Sequence, residues 1–386
     1  MAEDWPEFRG PTGQGHSSER GVPVEWSETR NVRWKVAVPG KGWSSPSIRD
    51  GRLWLTTATD LGRSLRLLCV DVRDGRTIRD LEVVRFQGDL KIHDKNSHAS
   101  PTPLVDTDRV YVHFGSHGTG CVGVDGRVLW TTKLEYYHRH GPGGSPALVG
   151  DRVVINCDGY DIQYVVALDR ETGRVRWKSP RKGYQAYTTP LLIRVNGRDQ
   201  VVSVGAYRAV AYDPETGAEI WSVGYGKGFS NVPRPVFGHG MVFLSAGFQE
   251  PLFLAVRADG KGDVTDTHLV WQTKRGAPLT PSPLLVGDEL YLVSDTGIAS
   301  CLDARTGRAH WQERIGGNHA ASPVYADGRI YFLSEDGETA VVEQEKVFKK
   351  VAVNRLDGRF LASMAVSDGA VFLRSDGYLY RIQDRG

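Results

Sequence analysis

The sequence predicts an all-β chain folded as an eight-bladed β-propeller of four-stranded antiparallel blades. Three observations predict it: a strand pattern returning about every 44 residues, a tryptophan at a fixed place in most repeats, and chain ends that complement each other. Of 386 residues, 40% are hydrophobic and 24% charged, enough apolar surface for a core that does not depend on disulfides. Forty-five glycines and 10 tryptophans suit tight turns between short aromatic-rich strands.

Each repeat opens at a Ser-Pro-like pair that starts the inner strand. The pairs are Ser45-Pro46, Ser100-Pro101, Ser145-Pro146, Thr189-Pro190, Arg234-Pro235, Ser282-Pro283, Ser322-Pro323 and a degenerate Ser363-Met364. Second strands with half-buried alternation follow, as at 53–57, 109–114, 152–156 and 329–334. Third strands end in hairpin turns such as Asp169 to Gly173, Asp213 to Gly217 and Asp303 to Gly307. There the Asp side chain caps the turn and Gly takes the positive-φ position. Fourth strands carry Trp34, Trp130, Trp177, Trp221, Trp271, Trp311 and, as a substitute, Phe348. A ring there fills the wedge that widens between radially arranged sheets.

The first tryptophan run, 32–38, precedes the first Ser-Pro pair, whereas the last repeat stops after its third strand, 378–382. The N-terminal strand is therefore expected to complete the last blade, closing the ring and removing two exposed edges. On this reading residues 1–31 are an N-terminal extension and 32–386 a single propeller.

The phrases Val166-Ala167-Leu168-Asp169 to Gly173 with Trp177, and Ala211-Tyr212-Asp213 to Gly217 with Trp221, resemble the repeat of the pyrroloquinoline quinone-type propeller superfamily. The resemblance covers nearly the whole chain. It implies kinship with quinoprotein alcohol dehydrogenases, with the outer-membrane assembly lipoprotein propeller and with uncharacterised secreted propellers. Trp5-Pro6-Glu7-Phe8-Arg9-Gly10-Pro11 and Gly42-Trp43-Ser44-Ser45-Pro46 look most like the last group. Because propellers host unrelated chemistries, the fold does not choose among them. Pyrroloquinoline quinone is not expected as a cofactor, since the dehydrogenases of this superfamily add a vicinal cysteine pair, a Glu/Asn/Asp calcium shell and a far longer chain. Here Cys69, Cys121, Cys157 and Cys301 stand apart in apolar runs and read as buried thiols.

Forty-eight basic against 46 acidic residues give a net charge of +2, with no run of like charge, so nucleic acid is not an expected partner. No stretch approaches the roughly 20 apolar residues of a transmembrane helix. Met1-Ala2-Glu3-Asp4 reads like a start just after a removed signal peptide, and the expected location is extracytoplasmic, periplasmic or secreted. Phosphate loops, dinucleotide fingerprints and nucleophile elbows find no match.

The links entering each inner strand and the links between strands two and three emerge on one face, the top. Seven of 11 histidines fall there: His93, His98, His113, His117, His138, His140 and His319. His98, His117, His138 and His140 are expected to converge with Asp94, Asp158 and Asp161 nearby, where imidazoles beside carboxylates serve as metal ligands or general bases. A divalent metal is compatible with the cluster, although no His-Glu-x-x-His spacing defines its shell.

Aromatic residues crowd the same face: Trp43, Tyr136, Tyr137, Tyr160, Tyr184, Tyr187, Tyr207, Phe229 and Phe248. The leading expectation is a funnel that binds, and if catalytic cleaves, a carbohydrate or small polar ligand. His98, His140 and Tyr187 would be catalytic, and Trp43, Asp94, His117, His138, Asn231, Arg275, His319 and Arg359 would hold the ligand. The alternative is a non-catalytic scaffold like the outer-membrane assembly lipoprotein, meeting a protein partner at the propeller rim.

Overall fold

The structure is a computed structural model that describes residues 2–87, 92–248 and 250–384. It forms eight sheets, each built on a four-stranded antiparallel meander from inner to outer strand, with strand order following the chain except at the outer strand of the last blade. Among the described residues, the helical turns are two short 3₁₀ segments, Asp60–Gly62 and Gly115–His117, both on top-face links. The ring closes as the mismatched ends require. Val32–Ala37 pairs antiparallel with Tyr378–Ile382, placing Trp34 opposite Arg381 as the outer strand of blade eight. Blade four gains a fifth, parallel strand, Gly262–Asp263, which pairs with Trp221 and Ser222.

A hydroxyl belt joins the inner strands around the axis. The amides of Ser45, Thr102 and Ser145 each donate to the hydroxyl at the same position of the next blade, and those of Arg234, Ser282, Ser322 and Ser363 do likewise, at 2.9 to 3.0 Å. The last of these bonds runs from Ser363 to Ser45 and crosses the seam of the ring. This belt corrects one expected opening. In blade two the belt residue is Thr102, before Pro103, and Ser100 instead bonds locally to Ser97 and Asn96.

Arg234 occupies the fifth belt position, after Thr189, and breaks the hydroxyl series. Its guanidinium donates to the carbonyl of Pro190 and reaches Phe8 O and the Glu7 carboxylate. Those residues belong to the N-terminal segment, which crosses the bottom end of the axis. The segment bonds to the inner strands through Trp5 with Ile48, Pro6 with Val105, Gln14 with Phe237 and Gly15 with Tyr325. Trp5 and Arg9 are fully buried beneath the ring.

Five outer-strand tryptophans bridge blades. Trp34, Trp130, Trp177, Trp271 and Trp311 donate their Nε1–H to a carbonyl in the next blade's turn, at 2.9 to 3.1 Å. Trp221 instead bonds to Gln200 of its own blade, beside the inserted parallel strand. Phe348 is not the expected substitute. It precedes the outer strand Lys350–Arg355 and packs edge-on against Trp311 of blade six. Ala352 holds the tryptophan register in blade seven, opposite Val341 as Trp311 stands opposite Cys301. The space is filled by Trp26 of the N-terminal segment, stacked on Tyr331 and held by Asn354.

Candidate functional site

Three of the expected histidines meet on the top face. His98 comes from the link into blade two, His117 from the 3₁₀ turn Gly115–His117, and His138 from the link into blade three. One ring nitrogen of each lies within 4.8 Å of the other two. The rings pack edge to face, His98 on His117 at 5.3 Å and His117 on His138 at 5.1 Å between centroids. Phe86 stacks on His117 at 3.8 Å and walls the group from the blade-one side. The backbone makes room through Gly62 and Gly115, both at positive φ, where a Cβ would stand 2.5 Å from the His98 and His138 rings respectively.

Burial keeps these imidazoles neutral. Desolvation, then His138 and His98, hold His117 down to about 3; desolvation, then His113 and His98, do the same for His138. Desolvation also lowers His98. Ser116 donates its amide N–H to His138 Nδ1 at 3.0 Å, with its hydroxyl 3.1 Å from the same atom. His98 Nδ1, His117 Nε2 and His138 Nε2 remain buried without a hydrogen-bond partner. His113 stands aside, its two ring nitrogens engaged by Thr119 and Tyr136.

The rest of the expected funnel does not assemble. His140 sits against His93 and Tyr187, at 5.7 and 6.5 Å between ring centroids, so the proposed catalytic trio divides between two groups. His319 has a backbone carbonyl 2.9 Å from each ring nitrogen, Leu333 O at Nδ1 and Gly316 O at Nε2, so its ring N–H is taken up by the backbone. Asn231 is likewise committed, binding Gly205 O and Tyr225 Oη while accepting the Gly247 amide. Arg275 is exposed and bonds to Gln312 on the outer strand of blade six, away from the inner strands that surround the axis. Of the carboxylates expected nearby, Asp94 is exposed on the link into blade two, Asp158 is buried against Arg181, and Asp161 accepts the Tyr137 amide. Trp43 and Arg359 do meet, with the guanidinium 5.8 Å from the ring centroid. Lys95, two residues before Ser97, pairs with Glu335 of blade seven at 3.1 Å, so a strap spans the mouth of the axis.

Across blades three to five the top face carries an aromatic arc. Tyr137, Tyr160, Tyr184, Phe229 and Phe248 follow one another with centroid spacings of 5.2 to 6.5 Å, and Arg139 lies over Tyr160. These rings do not plug the axis: Phe248 is 60% exposed, Tyr137 43% and Tyr160 42%. Ile162 and Tyr207 are exposed on the same links.

Sequence reasoning missed Phe86, Ser116 and the Lys95–Glu335 strap. The only sequence signal for Phe86 is an aromatic following the outer strand Thr77–Arg85, and nothing local links Lys95 to a residue of blade seven.

Comparison with known proteins adds a family. Residues 16–155, 83–207 and 261–350 match the PQQ_2 family, described as outer membrane protein assembly factor BamB. The curated BamB of Alkalilimnicola ehrlichii is 29% identical over 214 residues, covering 51% of this chain and 50% of that protein. That of Burkholderia pseudomallei is 26% identical over 300 residues, covering 69% of each. The match thus spans about half the length of the first relative. Among solved structures, BamB from Moraxella catarrhalis superposes with a TM-score of 0.65 at 13% identity, over 91% of this chain and 99% of that one. A europium-containing methanol dehydrogenase gives 0.69 at 11% identity, over 97% and 90%. At such identities these structures speak to the fold.

The residues present do not fit a quinone cofactor with a carboxylate-bound metal. The four thiols are buried in separate blades, and the one group of candidate metal ligands among the described residues is all imidazole.

Proposed function

The chain belongs to the PQQ_2 family of outer membrane protein assembly factor BamB, and on that premise we propose that it is an extracytoplasmic, non-catalytic scaffold that docks a protein partner in outer-membrane protein assembly. The observation that carries this reading is the exposed aromatic arc from Tyr137 to Phe248. Exposed apolar patches of contiguous rings mark interaction surfaces, and tyrosine and arginine dominate the strongly contributing positions of protein interfaces. The arc runs over links from three blades: a belt bond and Trp177 join blades three and four, and Arg234 on Pro190 O with the parallel strand Gly262–Asp263 joins blades four and five. A partner therefore meets a preformed surface and loses little by ordering it.

Family membership supports the extracytoplasmic location, and no helix among the described residues is long and apolar enough to cross a membrane. The carbohydrate reading has no comparable support, because His140, Asn231, His319 and Arg275 are drawn away from a common site.

A photo-crosslinking side chain placed at Phe248 tests the proposal in cells. Crosslinks to a component of outer-membrane protein assembly, absent when the probe sits at Asp327 near the bottom of blade seven, are the expected result. Equal labelling from both positions, or none from either, overturns it.

A further inference from the structure

We propose that His98, His117 and His138 form a three-histidine site for a divalent transition metal of the zinc and copper class, independent of the docking surface. Buried polar atoms are almost always partnered, and an unmade hydrogen bond in the interior is expensive. Here each of the three imidazoles has one buried ring nitrogen without a partner, and one ring nitrogen of each residue lies within 4.8 Å of the other two. Neither a charged side chain nor a carboxylate supplies the missing partner.

The donor set selects the ligand. Imidazoles without carboxylates disfavour calcium and magnesium, which want oxygen, and suit zinc, copper and nickel. Three protein nitrogens leave a fourth position open, as in mononuclear zinc sites that keep a water. A tetrahedral ion at about 2.1 Å from each nitrogen spaces its ligands about 3.4 Å apart. Loading therefore draws the rings inward from their present 4.8 Å envelope. His117 moves with the 3₁₀ turn Gly115–His117, and the same turn carries Ser116, whose amide and hydroxyl meet His138 Nδ1. When His138 binds through Nε2 its proton shifts to Nδ1, and the Ser116 hydroxyl, 3.1 Å away, becomes the acceptor while the Ser116 amide turns aside. Phe86, flat on His117, shields the nitrogens from solvent on one side.

The test uses the full-length, untagged chain stripped with a chelator and titrated calorimetrically with Zn²⁺, with Co²⁺ as the spectroscopic substitute. The expected result is one equivalent bound per chain, a Co²⁺ visible spectrum of four- or five-coordinate intensity, and a rise in melting temperature on loading. His117→Asn and His98→Asn should each weaken binding at least tenfold and abolish the melting shift, whereas His239→Asn, on the bottom turn of blade five, should leave both unchanged. A circular dichroism spectrum matching wild type shows that the variants are folded. If His117→Asn misfolds, the Co²⁺ spectrum and the stoichiometry of the wild-type chain decide alone. Absence of stoichiometric binding, an octahedral solvent-like Co²⁺ spectrum, or binding unaltered by both cluster variants overturns the proposal and leaves a bridging water as the occupant. None of these outcomes bears on crosslinking at Phe248.

Discussion

Trp130 of blade two lies against Gly173 of blade three: its Nε1 donates to Arg170 O at 3.1 Å, and a Cβ on Gly173 would stand 2.5 Å from Cε3 of the ring. The Asp-x-x-x-Gly turn and the outer-strand tryptophan are thus two halves of one contact between successive blades. The Asp half is built by Asp169, whose Oδ1 accepts the Glu171 and Thr172 amides and the Thr172 hydroxyl. Gly173 is at φ +69°, so a side chain there meets both backbone strain and the ring. Gly173→Ala is expected to destabilise the protein by about 2 kcal/mol or more and Trp130→Ala by about 3–5 kcal/mol. Thermal and denaturant unfolding of the two variants checks this. Their double mutant should be less unstable than the sum, because both remove one contact.

Arg234 ties the belt to the N-terminal segment. Burial raises the Glu7 carboxyl while Arg234 opposes it, and burial together with Arg234 pulls Arg9 down to about 9. Arg234→Ser restores a hydroxyl to the belt but leaves the half-buried Glu7 carboxylate without its cation. The Arg234 bonds to Pro190 O and Phe8 O are also given up, and losing a charged hydrogen bond costs about 1.5–3 kcal/mol, which outweighs a neutral hydrogen bond of about 1 kcal/mol. The variant should be less stable than wild type, with faster amide exchange at residues 5–17 than elsewhere, as read by hydrogen-exchange mass spectrometry. Unchanged exchange in that segment would contradict the assignment.

Asp169 titrates well below an ordinary Asp. Burial works to raise it, but the Thr172 and Arg176 bonds prevail and hold it at about 2. A carboxyl lowered on folding stabilises wherever it is ionised in the native state and protonated in the unfolded one. That contribution is complete above the unfolded value near 3.8 and is lost as pH falls towards about 2. The stability gap between wild type and Asp169→Asn should therefore be constant from neutral pH to about 4 and shrink below it. Denaturant titrations at several pH values measure the gap.

The aromatic arc should separate binding from stability. Phe248 and Tyr160 are exposed, so Phe248→Ser and Tyr160→Ser should leave the melting temperature nearly unchanged. If the arc docks a partner, each should reduce its affinity about tenfold or more, the usual mark of an interface aromatic. Quantitative crosslinking, with outer-membrane protein levels in cells, provides the readout.

Trp26 should behave as a core residue although it lies outside the repeats. It is 3% exposed and bonded to Asn354 of blade seven. Trp26→Ala is expected to cost about 3–5 kcal/mol, comparable to losing an outer-strand tryptophan. Equilibrium unfolding compares it with Trp130→Ala.

The periodic features were legible in the sequence because they are local. The Asp-to-Gly turns and the mismatched ends express turn chemistry and strand count, and these dictate eight blades and a closing strand at 32–38; the second strands, expected to alternate as half-buried, are instead buried on both faces between neighbouring blades, as at Arg152–Asp158 and Ala370–Arg374. Neighbouring blades also bring their links together, which is why His98, His117 and His138 could be grouped from spacing alone. Long-range pairing was not legible. Thr102 rather than Ser100 enters the belt because register depends on a hydroxyl 43 residues on, and Trp26 rather than Phe348 fills blade seven because the N-terminal segment passes there. Availability of a side chain was likewise decided in three dimensions. His319 is spent on Leu333 O and Asn231 on the Gly247 amide, whereas the three clustered imidazoles keep a nitrogen free. A residue type states what bonds it can make; only the folded chain states which are already made.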